Sequence, residues 1–227
     1  MKKQHISVKK AYDFWAEQYE SDGNSMMALE DSVFNKEFTS SLNDKKILDL
    51  GCGTGRHTSK FIELNAKVTG VDFSTNMLKK AKENNRSKNV RFIQHDISKR
   101  LPFKNKYFDI VSCSLVLEHI KKLDEAFSEM KRVCKQDGYI FITEMHPDMR
   151  LKGKQASFCD SKGKRYYPKS YPHKLDDFKY HIKASQLKIA KLKAYRGTKA
   201  LAKQTERAVQ YIGYPMLLEF KLIPVET

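Results

Sequence analysis

Lys46-Ile47-Leu48-Asp49-Leu50-Gly51-Cys52-Gly53-Thr54-Gly55-Arg56 runs a short apolar segment into three glycines at alternate positions, with one acid inside the run. Alternate glycines leave bare backbone for a ligand to lie against and accept a positive φ that other residues resist. A helix opening at about Arg56 turns its unpaired amide groups back toward that space. Gly51, Cys52, Gly53, Gly55 and Arg56 are therefore read as a cradle for a polar, nucleoside-sized ligand. The spacing is one residue shorter than the dinucleotide G-x-G-x-x-G, and Gly55-Arg56-His57 lacks the Gly-Lys-Ser/Thr ending of a phosphate loop. An acid just upstream argues against a phosphate and suits an ammonium group.

Three further segments repeat the pattern of an apolar run closing on a polar residue. Lys67–Val71 closes on Asp72, whose two carboxylate oxygens suit a vicinal diol. Val90–Ile97 carries Asp96, and Tyr107–Leu115 carries Ser114. Four such motifs in this order resemble the class I S-adenosylmethionine-dependent methyltransferases. The resemblance implies S-adenosyl-L-methionine as cofactor and S-adenosyl-L-homocysteine as product. It assigns Asp49 to the ammonium group, Asp72 to the ribose hydroxyls and Phe73 to the border of the adenine, with Met77 on the helix that follows. It further gives Asp96 and the Ile97 amide to the adenine ring, and the backbone near Ser114 and Leu115 to the methionine end. Family members often open with a helix that closes over the cofactor. Here Tyr12 and Tyr19 would do so, although Tyr12-Asp13-Phe14-Trp15-Ala16-Glu17-Gln18-Tyr19 carries one residue more than the family's spacing.

Hydrophobic periodicity supplies the elements that must hold these residues. Helices are expected over 7–20 and 26–42. Strand and helix then alternate as strand 45–50, helix 56–64, strand 67–72, helix 75–85, strand 90–95, strand 107–114, helix 118–135 and strand 139–144, with the turn 135–138 closing the last helix. Such alternation means a doubly wound, mostly parallel α/β sheet of the Rossmann-like kind, which binds ligands at the C-terminal ends of its strands. Helix 175–186, strand 188–196, a polar segment 198–210 and a strand near 216–222 follow. By the resemblance, the last two strands form an antiparallel edge hairpin and complete seven strands. Residues 145–175 break the rhythm with Pro147, Pro168, Pro172, Gly153 and Gly163. A connection of that length beside the ligand end reads as a substrate lid. The chain is thus expected to be one domain: cap 1–44, cofactor core 45–144, lid 145–175 and sheet completion 176–227.

The 227 residues are 40% hydrophobic, which suits a globular fold with a sizeable core. No apolar run is long enough to span a bilayer, and the basic start Met1–His5 lacks the apolar stretch of a secretory signal. Four cysteines without a C-x-x-C pair read as free thiols of a reducing, cytoplasmic compartment. The net charge of +16 is uneven: 7 basic against 9 acidic residues over 1–50, 19 against 12 over 51–150, and 17 against 6 over 151–227. Lysines outnumber arginines 34 to 9, which fits a solvated surface better than a specific nucleic-acid reader.

Seven histidines are present without an i, i+4 pair or an H-E-x-x-H motif, so no metal is expected. His119 and His146 follow the fourth and fifth core strands and are the candidate proton acceptors, because imidazole titrates near neutrality. The expected reaction is methyl transfer to an O, N or C atom of a small molecule. Two alternatives stay open: an RNA or protein acceptor held by the basic C-terminal third, and a non-catalytic cofactor-fold protein. Oligomeric state is left open.

Overall fold

The computed structural model describes residues 4–21, 23–160 and 163–226. The basic start at Met1–Lys3, two lid residues, Ser161 and Lys162, and Asp22 and Thr227 lie outside them. In chain order the elements are β1 (Gln4–Ile6), α1 (Val8–Trp15), α2 (Ser25–Glu37), β2 (Lys46–Leu50), α3 (Arg56–Glu63), β3 (Lys67–Asp72), α4 (Thr75–Asn84), β4 (Val90–Gln94), β5 (Phe108–Ser114), α5 (Leu123–Val133), β6 (Cys134–Met145), α6 (Asp148–Leu151), β7 (Phe158–Cys159), β8 (Arg165–Pro168), α7 (Leu175–Ala184), β9 (Leu187–Arg196), α8 (Lys199–Gln204) and β10 (Pro215–Pro224). Two 3-10 turns, Leu117–His119 and Glu206–Tyr211, complete the set.

Seven strands form one sheet in the order β4-β3-β2-β5-β6-β10-β9. The first five run parallel, and β10 is antiparallel to both β6 and β9. Strand order reverses between β2 and β5, so the glycine turn after β2 opens at the switch point where such sheets bind ligands. Both faces are covered. Leu48 and Leu50 of β2 point into a cluster with Phe127 of α5 and Phe178 of α7. Ile47, of opposite parity, joins Phe34 of α2 and Phe61 of α3 on the other face, as the period of two requires.

Several elements differ from the sequence reading, and tertiary bonds explain why. The first helix ends at Trp15 rather than 20, and residues 16–21 continue as turns. The second helix ends at Glu37 rather than 42. The helix expected from 118 starts at Leu123. Residues 117–119 cannot join it, because the Glu118 amide donates to the Glu144 carboxyl (3.2 Å) and its carbonyl accepts from the Tyr171 amide (2.7 Å). Asp124 and Glu125 occupy the first turn instead, where acids suit the helix dipole. The turn expected at 135–138 is the opening of β6, irregular where it meets β5 and pressed close enough that a Cβ on Gly138 would lie 2.5 Å from the Asp109 carbonyl.

Residues 145–175 hold structure that periodicity did not reveal. β1, β8 and β7 form a second, three-stranded sheet. In it the start of the chain pairs in parallel with residues 166–168. Trp15 stacks on Phe158 with centroids 5.3 Å apart. The N-terminal segment and the inserted segment are therefore one packed layer over the C-terminal ends of the strands.

Candidate functional site

The turn after β2 is tied down by backbone bonds. Gly51 and Cys52 donate their amides to the Val71 carbonyl (2.7 and 3.0 Å), and Gly55 donates to the Cys52 carbonyl (2.9 Å). All three glycines have positive φ: 71°, 53° and 82°. They serve different ends. A Cβ on Gly51 would strike Val116 at 2.4 Å, and one on Gly55 would strike the Asn85 amide at 2.4 Å. A Cβ on Gly53 would meet nothing within 4 Å. The first and third glycines let protein segments close on the turn, and the middle one faces open space.

Asp72 borders that space. It is buried, and its carboxylate accepts from the Gly53 amide (3.0 Å) and the Ser74 amide (2.8 Å). Burial pushes its carboxyl up to about 6, against the lowering by those amides. Ser74 caps α4 by accepting from the Met77 amide (3.1 Å) and donates its own hydroxyl to Asp13 (2.6 Å). Asp13 also accepts from the Asn76 amide (3.3 Å). One carboxylate thus fastens the N-terminal helix to the start of α4, a link the sequence reading did not see.

Asp49 lies deeper than a strand-end acid need lie, at 2% exposure, and accepts from the Thr58 hydroxyl (2.6 Å). Burial raises its carboxyl. Cys52 is buried, and burial pushes its thiol well up, which leaves it an inert packing group. Arg56 turns its guanidinium away from the turn onto Glu30 (2.9 Å) and Asp31 of α2. His57 completes this network 2.8 Å from Glu30 and stacks on Phe34. Glu30, Asp31 and His57 form a group with the donor atoms to hold a metal ion. The guanidinium of Arg56 supplies the cation there, so the group is read as an ion-pair network that clamps α2 to the first turn of α3. Burial alone would raise Glu30, but His57 and Arg56 outweigh it and hold the carboxyl down at about 2.

The remaining expected residues fall in two groups. Phe73 is half-buried beside Asp72. Asp96 and Ile97 follow β4, next to the end of β3, and the Asp96 carboxylate accepts from the Ser98 amide (3.0 Å) and hydroxyl (2.7 Å). Ser114 and Leu115 close β5. Leu115 adopts φ 56°, a conformation a branched side chain resists, and donates its amide to the Thr143 carbonyl (2.8 Å). Met77 lies on α4, the helix expected for it. It is fully buried beneath α1 with Ala11, Trp15 and Phe158.

Tyr12 and Tyr19 approach each other (centroids 6.2 Å) above Leu115 and Glu118, and burial raises both hydroxyls. The Tyr12 hydroxyl meets His119 Nε2 at 2.9 Å, and His119 Nδ1 meets the Lys169 carbonyl at 2.8 Å. A carbonyl only accepts, so Nδ1 carries the proton and, in the neutral ring, Nε2 accepts from Tyr12. Both nitrogens of His119 are engaged. His146 accepts from the Asp148 amide at Nδ1 (3.2 Å), burial lowers its pKa, and it does not line the cleft.

That cleft, of about 540 Å³, lies between the N-terminal layer, the ends of β5 and β6, and the 3-10 turn at 206–211. Met26, Met27, Met145, Met149 and Met216 line it, five of the chain's eight methionines. Thioethers fill irregular space and adapt to flat or flexible apolar partners. The carboxylate in its wall is Glu118, which Arg150 meets at 3.3 Å. Behind it Glu144 is fully enclosed, and burial and Glu118 raise its carboxyl to about 8. Glu118 escaped the sequence reading because it sits in an apolar run that resembles a helix start.

Residues 41–205 match the methyltransferase domain family. The chain belongs to that family. It is 30% identical over 214 residues to an uncharacterized methyltransferase of Emericella nidulans, covering 76% of this chain and 72% of that one. It is 34% identical over 149 residues to a demethylmenaquinone methyltransferase of Streptomyces avermitilis, spanning 64% of this chain and 63% of the relative. An S-adenosylmethionine-dependent methyltransferase from Mesorhizobium loti superposes with a TM-score of 0.70 at 18% identity, over 88% of this chain and 98% of its own. A DhpI complex with S-adenosylhomocysteine superposes with a TM-score of 0.70 at 16% identity, over 97% and 96%. These two likenesses show the fold. The methyltransferase domain is an S-adenosylmethionine-dependent enzyme, and the open face of Gly53 beside Asp72 fits that cofactor. Among the described residues, no helix is long and apolar enough to cross a membrane.

Proposed function

We propose that this methyltransferase alkylates a small molecule held in the methionine-lined cleft. The observation that carries the proposal is the cleft's position: Leu115 and Glu118 form its wall, while Val116 between them packs on Gly51 of the glycine turn. An acceptor there lies one residue's width from the cofactor cradle. The matched relatives include a demethylmenaquinone methyltransferase and a ubiquinone biosynthesis O-methyltransferase, both named for small-molecule chemistry.

In this reading Asp72 accepts from the ribose hydroxyls, Phe73, Asp96 and Ile97 border the adenine, and the turn at 51–55 with Asp49 holds the amino-acid end. The cofactor supplies an activated methyl with a good leaving group, so the protein's task is alignment and exclusion of water. Residues 145–160 and 163–175 act as a lid and, with residues 4–21, roof the cleft. Tyr12 and Tyr19 hang from that roof, and His119 orients Tyr12 rather than taking a proton. The protein residue best placed to accept a proton from the acceptor is Glu118, which lines the cleft beside Arg150.

The test is turnover. The chain is incubated with S-adenosylmethionine and pooled small-molecule extract, and methyl gain is read by mass spectrometry. Acceptor-dependent formation of S-adenosylhomocysteine supports the reading, and cofactor binding without turnover on any small-molecule pool overturns it.

A further inference from the structure

The cleft wall carries more positive charge than its own carboxylate can answer. Lys154 and Arg165 both line it. Lys154 donates to the neutral Gln210 side chain (3.1 Å) and lies 5.5 Å from the Tyr211 ring centroid. Arg165 donates to the neutral Ser157 hydroxyl (3.1 Å). Among the described residues neither forms an ion pair, so both are fixed in direction by neutral partners while their charge goes unmatched. The wall's carboxylate, Glu118, is already met by Arg150. Among the described residues, some packed cations elsewhere meet acids, Arg56 with Glu30 and Asp31, Arg132 with Glu129 and Lys135 with Asp109, and others, such as Lys131 on Gln186, do not; what sets Lys154 and Arg165 apart is that both line the cleft.

From these two cations in the cleft wall, and resting on the functional reading above, we infer that the acceptor is an apolar molecule bearing an anionic group. Its body lies against the methionines and aromatic rings, and its anion lies between Lys154 and Arg165. A carboxylate suits the pair: a guanidinium can meet two oxygens through parallel N–H donors, and an ammonium adds a point charge. Arg165 is exposed and Lys154 half-buried, which places the anion toward the cleft mouth. The apolar body then reaches inward to Leu115 and Glu118, so the anionic group orients the acceptor and is not itself the methylated atom.

Three probes with one bicyclic body and different charge test this: naphthoate, naphthamide and naphthylmethylamine. Each is titrated calorimetrically into the full chain saturated with S-adenosylhomocysteine. Naphthoate should bind about tenfold or more tighter than naphthamide, because two charge-assisted contacts are lost in the amide. The amine should bind weakest. In the double variant Lys154→Gln, Arg165→Gln the preference should fall to within about twofold, while affinity for S-adenosylhomocysteine stays as in the parent chain. Equal binding of naphthoate and naphthamide overturns the inference. So does a preference that survives the double substitution, or no binding of any probe by a chain that binds S-adenosylhomocysteine. Failure to bind S-adenosylhomocysteine is a different result: it overturns the functional reading and the inference with it.

Discussion

The proposed cofactor cradle and the proposed acceptor cleft lie side by side at one end of the sheet and are built in opposite ways. The cradle uses short contiguous segments, residues 49–56, 72–74 and 94–97, each placed by a strand end and tied by backbone hydrogen bonds. The cleft draws on residues from at least four stretches far apart in sequence, closed by a layer in which the chain's start pairs with residues 166–168. A fixed ligand is served by backbone geometry, which short motifs encode. A variable ligand is served by side chains on inserted segments, where sequence is free to change.

The largest expected effect breaks the cradle alone. Asp72→Ala removes two amide partners and the proposed diol acceptor, and should weaken S-adenosylmethionine binding about a hundredfold or more, at a charge-assisted 1.5–3 kcal/mol per bond. Unchanged calorimetric affinity would remove Asp72 from the ribose. Next in size is Glu30→Gln, which tests whether the cradle is braced from outside. The Glu30 carboxyl is held at about 2 when folded, against an ordinary 4.5. Its stabilisation is therefore complete above about pH 4.5 and is lost as pH falls toward 2. Urea unfolding at neutral pH should show a loss of roughly 3 kcal/mol in the variant, and the gap to the parent chain should narrow on acidification. An equal gap at all pH values would assign the loss to packing alone.

A smaller effect sharpens the comparison through pH. Asp72 is raised to about 6 by burial. Hydroxyl donors from a ribose favour the ionised carboxylate, so binding should release a proton and affinity should weaken as pH falls below about 6. A flat affinity between pH 7 and pH 5 would contradict the assignment. The smallest effect concerns the roof. Trp15 is the chain's one tryptophan and stacks on Phe158 between α1 and the inserted layer. S-adenosylhomocysteine should leave its emission nearly unchanged, while an acceptor-sized ligand such as naphthoate should shift it. A large shift on cofactor binding alone would mean that the two regions move together.

This division also explains what was legible in the sequence. The alternation of strands and helices, the three glycines and the acids at strand ends could be read because each is a local pattern. Gly53 faces open space, as the glycine spacing led one to expect of a ligand cradle. The helix start at Leu123 could not be read, because Glu118 spends its amide on Glu144 and its carbonyl on Tyr171, both remote in sequence. Nor could the small sheet of β1, β8 and β7, whose strands are two to four residues long. Met77 packs with Trp15 and Phe158, contacts between remote segments that spacing does not show. The bonds of His119 to Tyr12 and to the Lys169 carbonyl join it to segments remote in sequence and could not be read either.

The central claim is that the cleft beside the cradle receives a small molecule. Methyl-labelled S-adenosylmethionine is supplied to the chain in a cell extract, which is then separated into small-molecule, RNA and protein fractions. The account predicts chain-dependent label in the small-molecule fraction, lost in Asp72→Ala. Label carried chiefly by RNA or protein would contradict it.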